Sequence, residues 1–412
     1  MGQVTGAPLL VDHEDVAWFR DGSEGARGAV AALCRRLGFT DRRAAEVVLA
    51  VTELVTNMRQ HAVDGSLLLR VLRTPLTAGV EVVVTDGGPG MADVPAALRD
   101  GMSTAGTLGI GLGAVRRLAD VFDVHSRSGL GTVQLARFWP APLPEGAAAE
   151  PAVGGVTRPI SGEQVCGDAW AARSDPGGTA HEERSVAGPA AAAPEPASAP
   201  IDWASMTGTA RRPKGPSSAA GSALSAATLR RTDRGLALRS VSAGPGPAVL
   251  VMLCDGLGHG AMAAMAGQAA VHAFRSGHAR LPEQIMQELH AGLRGTRGAA
   301  VAVARIEPQN RRVLFCGVGN ITTALVTADS RSNLLSHPGI VGHQMHQPRT
   351  YEYPLPPYGA LVLHSDGLNE RWTPADLAGL LSHRPTVAAV GLLRGAGTRR
   401  DDASVVIAKD LW

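Results

Sequence analysis

Two uninterrupted apolar runs, each ending in Asp-Gly, are the clearest hydrophobic pattern in the chain. The first covers residues 249–254 and is followed by Asp255, and the second covers residues 360–363 and leads to Asp366. Such a run before glycine-rich turn residues predicts a buried strand that ends in a tight loop. Asp255 and Asp366 are therefore predicted at the ends of two strands, and two such ends in one domain suggest a shared site.

Residues 1–140 have the pattern of a compact α/β unit. Helices are predicted over 24–37 and 41–61, since apolar residues of the second recur at the helical period. Strands are predicted over 67–73 and 79–86. A separate polar stripe borders the apolar face of the second helix, where it places polar groups at the edge of the core and so at a possible pocket: Glu46, Glu53, Asn57 and His61.

A glycine-rich stretch over 108–113 leads into a further predicted helix with one apolar side. The N–H groups and the positive dipole end of a helix that begins in this way suit phosphate oxygens. The glycine pattern alone is weak evidence for a nucleotide site.

Composition divides the rest of the chain. Residues 141–156 are rich in Pro, Ala and Gly and are predicted to be a linker, and 157–412 form a second domain. Within that domain, 174–233 consist largely of Ala, Pro, Ser and Gly. Such a segment cannot bury enough apolar surface to offset its ordering entropy, so a disordered insertion is predicted there. Further helices are predicted over 260–276 and 282–293, and strands over 299–306 and 311–317.

Charge and lysine content exclude several classes of protein. The 412 residues carry a formal net charge of +2, which gives no reason to expect a nucleic-acid or membrane surface. The only lysines are Lys214 and Lys409. Neither lies in a P-loop or in the strand context of a eukaryotic-type protein kinase, so any ATP site must be built differently.

The four cysteines show no C-x-x-C pairing and are predicted to be small buried hydrophobes in a reducing compartment. No apolar stretch approaches the roughly 18 residues that span a bilayer. The N-terminus lacks a secretory signal pattern. We therefore expect a cytoplasmic protein.

Three motifs in the first domain occur in a characteristic order: Glu53-x-x-x-Asn57, Asp86-x-Gly88-x-Gly90 and Gly109-x-Gly111-x-Gly113. In isolation, Glu53 and Asn57 would be ordinary surface positions of an amphipathic helix. Together, the motifs resemble the N, G1 and G2 boxes of the GHKL (Bergerat-fold) ATPases. The stretch 103–118 is particularly similar to the small serine kinases of bacterial sigma-factor control, the RsbT and RsbW type.

The resemblance implies a role for each of these residues. Asn57 would hold Mg²⁺ against the triphosphate of ATP, which fits the preference of Mg²⁺ for a few oxygen ligands and several waters. Asp86 would accept from the adenine amino group, and Glu53 would take the proton of an attacking serine hydroxyl. The glycines of the two boxes would bind the nucleotide, with the second set along the phosphates: Gly88, Gly90, Gly109, Gly111 and Gly113.

Four aspartates of the second domain are predicted at strand edges: Asp168, Asp255, Asp366 and Asp401. As isolated residues each would be a turn former. Carboxylates without Cys or His partners favour hard cations such as Mg²⁺ or Mn²⁺. Two such ions about 4 Å apart lower the pKa of a water and clamp a phosphate, so no protein nucleophile is needed.

The motifs around these aspartates resemble those of the PPM-type serine/threonine phosphatases of the SpoIIE family, with the RsbX branch most similar: Gly167-Asp168, Asp255-Gly256-Leu257-Gly258-His259-Gly260, Ser365-Asp366-Gly367 and Asp401-Asp402-Ala403-Ser404. The resemblance implies that Asp168 and Asp255 bind a first metal, together with the Gly256 carbonyl. Asp366 and Asp401 would hold a second. Asp402 is the alternative to Asp401. His259 either orients a metal-bound water or is a turn residue.

The expected fold is α+β with two domains. A GHKL α/β sandwich, with a mixed sheet and helices on one face, precedes a PPM-type αββα sandwich. The resemblances imply a bifunctional regulator of a sigma-factor or stress pathway, a serine kinase and a metal-dependent phosphatase that act on STAS-domain antagonist proteins. ATP, Mg²⁺ and a Mn²⁺ or Mg²⁺ pair are the expected cofactors. Alternatively, the first domain binds ATP and captures a sigma factor or regulator without transferring phosphate.

Overall fold

The computed structural model describes residues 16–20, 25–74, 76–99, 111–143, 152–177 and 242–409. Gly109, residues 144–151 of the predicted linker and most of the predicted insertion lie outside these residues. The helices of the described part are α1 Gly25–Arg36, α2 Asp41–His61, α3 Val94–Ala97, α4 Gly111–Leu118, α5 Ala261–Ser276, α6 Pro282–Gly292 and α7 Pro385–Ala396, with short 3-10 helices at Pro374–Leu377 and Leu380–Ser382.

The strands lie in three sheets. Strands of the first domain are β1 Val16–Arg20, β2 Ser66–Arg73, β3 Ala78–Asp86, β4 Val121–Arg127 and β5 Gly131–Phe138. Those of the second are β6 Val153–Arg158, β7 Asp168–Asp175, β8 Ala248–Gly256, β9 Ala299–Glu307, β10 Arg312–Val318, β11 Thr322–Val326, β12 Arg331–Asn333, β13 Ser336–His337, β14 Tyr351–Pro354, β15 Ala360–His364 and β16 Ala403–Lys409. The predicted helix and strand positions are confirmed to within one or two residues in most cases.

The first sheet has the order β1-β2-β3-β5-β4. Every described pair of neighbouring strands is antiparallel, so the prediction of a mixed sheet is wrong for this part of the chain. The reason lies in the connections. β2–β3 and β4–β5 are joined by short turns, which can join only antiparallel strands, whereas parallel neighbours need a long crossover.

Helices α1, α2 and α4 cover one face of this sheet, as predicted. The apolar stripe of α2 is buried there against alternate residues of β3: Val47, Val51, Leu54, Val55, Met58, Val80, Val82 and Val84. α2 begins where the Thr40 hydroxyl accepts a hydrogen bond from the Arg43 N–H at 3.3 Å. α1 ends before Gly38, whose φ of +76° is the left-handed conformation that glycine adopts easily.

The second domain is a sandwich of two sheets, which confirms the αββα architecture. One sheet has the order β13-β10-β9-β8-β7, with β14 also paired to β10, and the other has the order β12-β11-β15-β16-β6. An apolar core from both sheets lies between them. Helices α5 and α6 pack on the outer face of the first sheet, and α7 packs on the outer face of the second.

Helix α7 also covers the remaining face of the first domain's sheet. Leu68, Val83, Val133 and Leu135 share one buried cluster with apolar residues of α7. Two hydrogen bonds cross the same boundary, from Trp18 Nε1 to the Thr157 carbonyl at 2.8 Å and from Arg70 Nη1 to the Gly155 carbonyl at 2.7 Å. The two domains therefore share a continuous core, with α7 as a common layer.

The structure corrects two predicted boundaries. β6 pairs with β16 from residue 153, so the linker prediction over 141–156 extends four residues too far and the second domain begins before residue 157. The glycines that suggested a linker have a packing role instead. A Cβ on Gly155 would lie 2.6 Å from the Trp170 ring. At the other boundary, β7 continues to Asp175, so the insertion cannot begin at residue 174.

Buried charges fix the chain on both sides of residues 178–241. Asp175, at the end of β7, forms ion pairs with Arg280 and with the fully buried Arg305. Beyond the segment, the Gly244 N–H donates to Glu307 Oε1 at 2.7 Å, and the same carboxylate accepts from Arg305. Both flanks of the segment are thus held in the body of the domain by one network.

Replacing Glu307 with glutamine is expected to lower the stability of the protein above about pH 5, and the difference from the wild type should shrink as the pH falls from about 5 to about 2. Burial by itself would raise the pKa of Glu307, but hydrogen bonds from Arg305, Asn310, Gly244 and Arg312 lower it to about 2. A carboxyl whose folded pKa is lowered stabilises the protein above its unfolded pKa, and this stabilisation disappears as the pH falls through the folded pKa. Thermal melts from pH 2 to pH 7 should therefore show a shallower acid dependence for Glu307→Gln than for the wild type. Parallel curves would contradict this prediction.

All four cysteines are buried free thiols, as predicted. No helix among the described residues combines the length and the apolar character needed to cross a membrane.

Candidate functional site

A cavity of about 410 Å³ opens at the edge of α2 in the first domain. This volume lies in the usual range for small-molecule sites. Five of the predicted nucleotide-site residues line it: Glu53, Asn57, Asp86, Gly90 and Gly111. Glu46, from the same polar stripe, is not among the lining residues and pairs with Arg43 instead. The helical period therefore predicted correctly which face of α2 borders the cavity. It did not show that the cavity stops short of Glu46, which lies nearer the start of the helix.

Asp86 lies at the end of β3, where the strand leaves the sheet. Its Oδ1 accepts a hydrogen bond from the Gly88 N–H at 2.7 Å. Burial raises the pKa of Asp86, and the hydrogen bond from Gly88 opposes that rise. Gly88 does not line the cavity but supports it, since a Cβ there would lie 2.6 Å from the His61 carbonyl oxygen. The first glycine box therefore orients the aspartate.

The second glycine box begins α4. Gly111 has φ of +75° and lies at the cavity wall, whereas Gly113 is buried within the helix. Gly109 lies outside the described residues. The N-terminal N–H groups of α4 thus adjoin the cavity through Gly111, which is the arrangement that suits phosphate oxygens.

Two polar residues of β5 also line the cavity, and sequence reasoning missed them. Thr132 and Gln134 alternate along β5 and so face the same side of the sheet as Ala136 and Phe138. The Gln134 Oε1 atom is buried and has no hydrogen-bond partner among the described residues. An unpaired buried acceptor that faces a cavity fits a ligand with hydrogen-bond donors, such as adenine. The period-two pattern over 131–138 was the signal that would have located them.

The acidic centre of the second domain is built on β7 and β8. Asp168 and Asp255 are directly opposite each other in this antiparallel pair, so both side chains extend from the same face. Asp168 is almost fully buried, and its Oδ2 accepts from the Ser365 hydroxyl at 2.6 Å. Its Oδ1 is buried without a hydrogen-bond partner in the described part of the chain. That unpaired oxygen fits a cation ligand.

Asp366 follows β15 and lies near this pair. Its Oδ2 accepts from the Asn320 side-chain amide at 2.8 Å. Burial, together with the charge of Asp401, raises its pKa. Burial is also the largest cause of the raised pKa values of Asp168 and Asp255, and the charges of neighbouring aspartates add to both. The carboxylates of Asp168, Asp255 and Asp366 thus share one electrostatic environment that favours either protons or cations.

The neighbouring aspartates 401 and 402 differ sharply in their contacts. Asp402 accepts from the Ile160 N–H at 2.7 Å through Oδ1 and from the Gly167 N–H at 2.6 Å through Oδ2. Asp401 accepts only the N–H of Asp402 in the contacts described, at 2.9 Å. Since both oxygens of Asp402 hold the backbone next to Asp168, the geometry favours Asp401 as the ligand and gives Asp402 a supporting position.

The loop after β8 brings Gly256 and His259 to the same region. A Cβ on Gly256 would lie 2.5 Å from the Ala263 carbonyl oxygen, so only glycine fits the close approach of α5. His259 is exposed, and its Nδ1 lies 3.3 Å from Glu163 Oε1. This contact is that of a surface turn residue, which is the simpler of the two interpretations.

The donor set fits hard divalent cations. Within the described ranges, no three His, Cys, Asp or Glu side chains already form a complete ligand cluster. The four aspartates that lie near one another nevertheless offer only carboxylate oxygens as donors, and one of these, Asp168 Oδ1, is buried without a hydrogen-bond partner among the described residues. Oxygen-only sets of this type suit Mg²⁺ or Mn²⁺.

Comparison with protein families gives a separate match for each of the two domains. The histidine kinase-like ATPase domain family matches residues 22–137, and the family of stage II sporulation protein E (SpoIIE) matches residues 245–409. The serine/threonine-protein kinase RsbT of Bacillus subtilis (strain 168) is 34% identical over 107 residues, which cover 26% of this chain and 80% of that protein.

Solved structures with a similar fold include one from the bacterial stressosome, with 23% identity, a TM-score of 0.42, and coverage of 62% of this chain and 98% of that one. Another is RsbX in complex with magnesium, with 15% identity, a TM-score of 0.40, and coverage of 62% and 92%. The family assignment depends on the sequence matches. The chain belongs to the histidine kinase-like ATPase family of RsbT through its N-terminal domain and to the SpoIIE family of PPM-type phosphatases through its C-terminal domain.

Proposed function

We propose that this chain is a bifunctional partner-switching enzyme that both phosphorylates a serine of a STAS-domain protein and hydrolyses phosphoserine or phosphothreonine in such proteins. The observation that carries the proposal is the cross-strand pair of Asp168 and Asp255 with Asp366 beside it, in the same chain as a cavity lined by Glu53 and Asn57. One centre suits the removal of phosphate, and the other suits its transfer from ATP.

In the first domain, the proposed binding residues surround the cavity from three elements. Asn57 of α2 offers an amide oxygen for Mg²⁺, and Asp86 of β3 offers a carboxylate for the adenine amino group. The start of α4, with Gly111 at the cavity wall, would contact the phosphates. Glu53 lies one helical turn before Asn57 at the cavity wall, and in this proposal it would take the proton of a substrate serine hydroxyl.

In the second domain, the proposed metal ligands are Asp168, Asp255 and the Gly256 carbonyl for one cation, and Asp366 and Asp401 for the other. Bound divalent cations would lower the pKa of a water and neutralise the charge of the phosphate. The protein's own contribution is orientation: the Ser365 hydroxyl fixes Asp168, and the Asn320 amide fixes Asp366. Such supporting hydrogen bonds set the direction of ligand oxygens.

The kinase half is tested by following phosphate from γ-³²P-labelled ATP onto purified STAS-domain proteins encoded beside this chain. Asp255→Asn serves as the starting protein, because the phosphatase half would otherwise remove the label. Glu53→Gln in that background should lower labelling by about 10² to 10⁴-fold, the usual contribution of a positioned acid–base group. Its affinity for the ATP analogue AMP-PNP should be retained.

Glu46→Gln is the matched control, since it lies on the same helix but away from the cavity, and it should label as the starting protein does. Asn57→Asp should abolish AMP-PNP binding, because a carboxylate in place of the amide repels the phosphates. Tight complex formation with a STAS protein, sigma factor or regulator, with AMP-PNP bound but no labelling, would instead establish the capture function without kinase activity.

A further inference from the structure

One segment of the second domain, residues 394–402, contacts residues of both proposed sites. Arg394, in the last turn of α7, donates from Nη1 to the carbonyl oxygen of Asp86 at 3.1 Å. Asp86 is the residue proposed to bind adenine, but Arg394 belongs to the phosphatase domain. The backbone that carries the Asp86 carboxylate is therefore held in part by the other domain.

A second contact joins the same regions. Arg399 forms an ion pair with Asp64, in the turn that follows α2. That turn supports the first glycine box, since the Gly87 N–H donates to the Val63 carbonyl at 2.8 Å. Both partners are about half exposed or more, at 49% and 63%. Exposed pairs contribute little, so Arg394 is the stronger of the two links.

The segment from 394 to 402 is also tied to the acidic centre. The Asn369 N–H donates to the Ala396 carbonyl at 2.8 Å, and the Thr398 N–H donates to the Gly367 carbonyl at 2.7 Å. These two bonds lie on the residues that directly follow Asp366. The segment then continues to Asp401, so hydrogen bonds and the backbone between them connect the Asp86 carbonyl to the stretches of chain that carry Asp366 and Asp401, two of the proposed metal ligands.

From these contacts we infer that Arg394 is a positioning residue for the nucleotide site, supplied by the phosphatase domain, and that nucleotide binding is coupled to the order of the segment 394–402. The inference depends on the nucleotide half of the proposed function. A nucleotide that fixes Asp86 stabilises its contact with Arg394, and through it the backbone beside Asp366. By linkage the coupling is reciprocal, so an ordered acidic centre favours nucleotide binding. A structural path alone does not establish energetic coupling, so the test measures it directly.

The first measurement is the dissociation constant of Mg²⁺·AMP-PNP, determined by calorimetry on the full chain. Arg394→Gln should weaken binding by about fivefold or more, the lower limit of typical coupling between sites. Arg399→Gln should have a smaller effect because its pair is exposed. Arg294→Gln, an exposed arginine after α6, is the matched control and should bind as the wild type does.

The second measurement needs no substitution at the boundary. Amide hydrogen exchange of peptides that cover 394–402 should slow when Mg²⁺·AMP-PNP is added to the wild type. The slowing should disappear in Asn57→Asp, which excludes an effect of nucleotide bound elsewhere. A purely structural role of Arg394 would change thermal stability without this nucleotide-dependent exchange.

The outcomes separate the two proposals. If the wild type binds AMP-PNP, but Arg394→Gln binds equally well and exchange over 394–402 is unchanged by nucleotide, the coupling is wrong and the proposed function stands. If the wild type does not bind AMP-PNP at all, both the nucleotide half of the proposed function and this inference are overturned.

Discussion

Asp255→Asn is expected to lower the hydrolysis of a phosphoserine peptide by on the order of 10³-fold. The charge stabilisation that a bound cation supplies amounts to several kcal/mol, and each 1.4 kcal/mol corresponds to a factor of ten in rate. Asparagine has nearly the same shape as aspartate but presents a neutral amide to the cation. The measurement is kcat/KM at a fixed Mn²⁺ concentration. Asp329→Asn, an exposed aspartate of the same domain, should retain full turnover.

The same variant should be more stable than the wild type when both are metal-free at neutral pH. Burial and the neighbouring charges of Asp168, Asp366 and Asp401 raise the pKa of Asp255. A carboxyl with a raised folded pKa stabilises the fold below its unfolded pKa, about 4, and that contribution is lost as the pH rises. The melting temperatures of EDTA-treated wild type and Asp255→Asn should therefore diverge above pH 4, with the variant higher.

In the hydrolysis experiment, unchanged turnover of Asp255→Asn, or equal losses of turnover in Asp255→Asn and Asp329→Asn, would rule out the proposed metal site.

Glu81→Gln is expected to destabilise the protein by about 3 to 5 kcal/mol, the usual cost of removing one partner of a buried ion pair. Glu81 is fully buried on the face of the first sheet that packs against α7. It lies directly across from Arg70 on one side and Arg137 on the other, with contacts of 2.6 Å to each. Burial would raise the pKa of Glu81, but the two guanidinium groups outweigh it and lower the pKa.

The reason for the large effect is that two buried guanidinium groups would share one neutral amide. The measurement is urea denaturation followed by tryptophan fluorescence. Glu352→Gln is the matched control, because Glu352 also pairs with an arginine, Arg312, but is half exposed. Its loss should cost under about 1 kcal/mol. A similar small change in both variants would show that the buried ion pairs of Glu81 with Arg70 and Arg137 do not stabilise the protein as proposed.

Much of the site was predictable because its residues follow regular periods or occur at strand ends. The helical period of α2 placed Glu53 and Asn57 on one face, and both line the cavity. The apolar runs before Asp255 and Asp366 correctly predicted two strands of one sandwich. The partners that orient these groups were not predicted, because contacts such as Ser365 to Asp168 join residues far apart in the chain.

The linker prediction failed for a physical reason that composition cannot reveal. Gly154 and Gly155 have the composition of a flexible segment, yet they lie in strand β6. They are glycines because α7 and the Trp170 ring leave no room there for a side chain. Glycine occurs both where a chain is unconstrained and where another group approaches the backbone closely. Only the neighbours in space distinguish these cases.

The sequence by itself determined the two families and the order of the domains, and it supplied most residues of each proposed site, because these depend on local periods and short motifs. Tertiary structure decided how the sites are related. It showed that α7 lies between the two domains, that Asp402 is occupied by backbone N–H groups while Asp401 is less constrained, and that Arg394 contacts the backbone of Asp86. These relations are set by packing between residues up to about 300 positions apart, and no pattern along the chain records them.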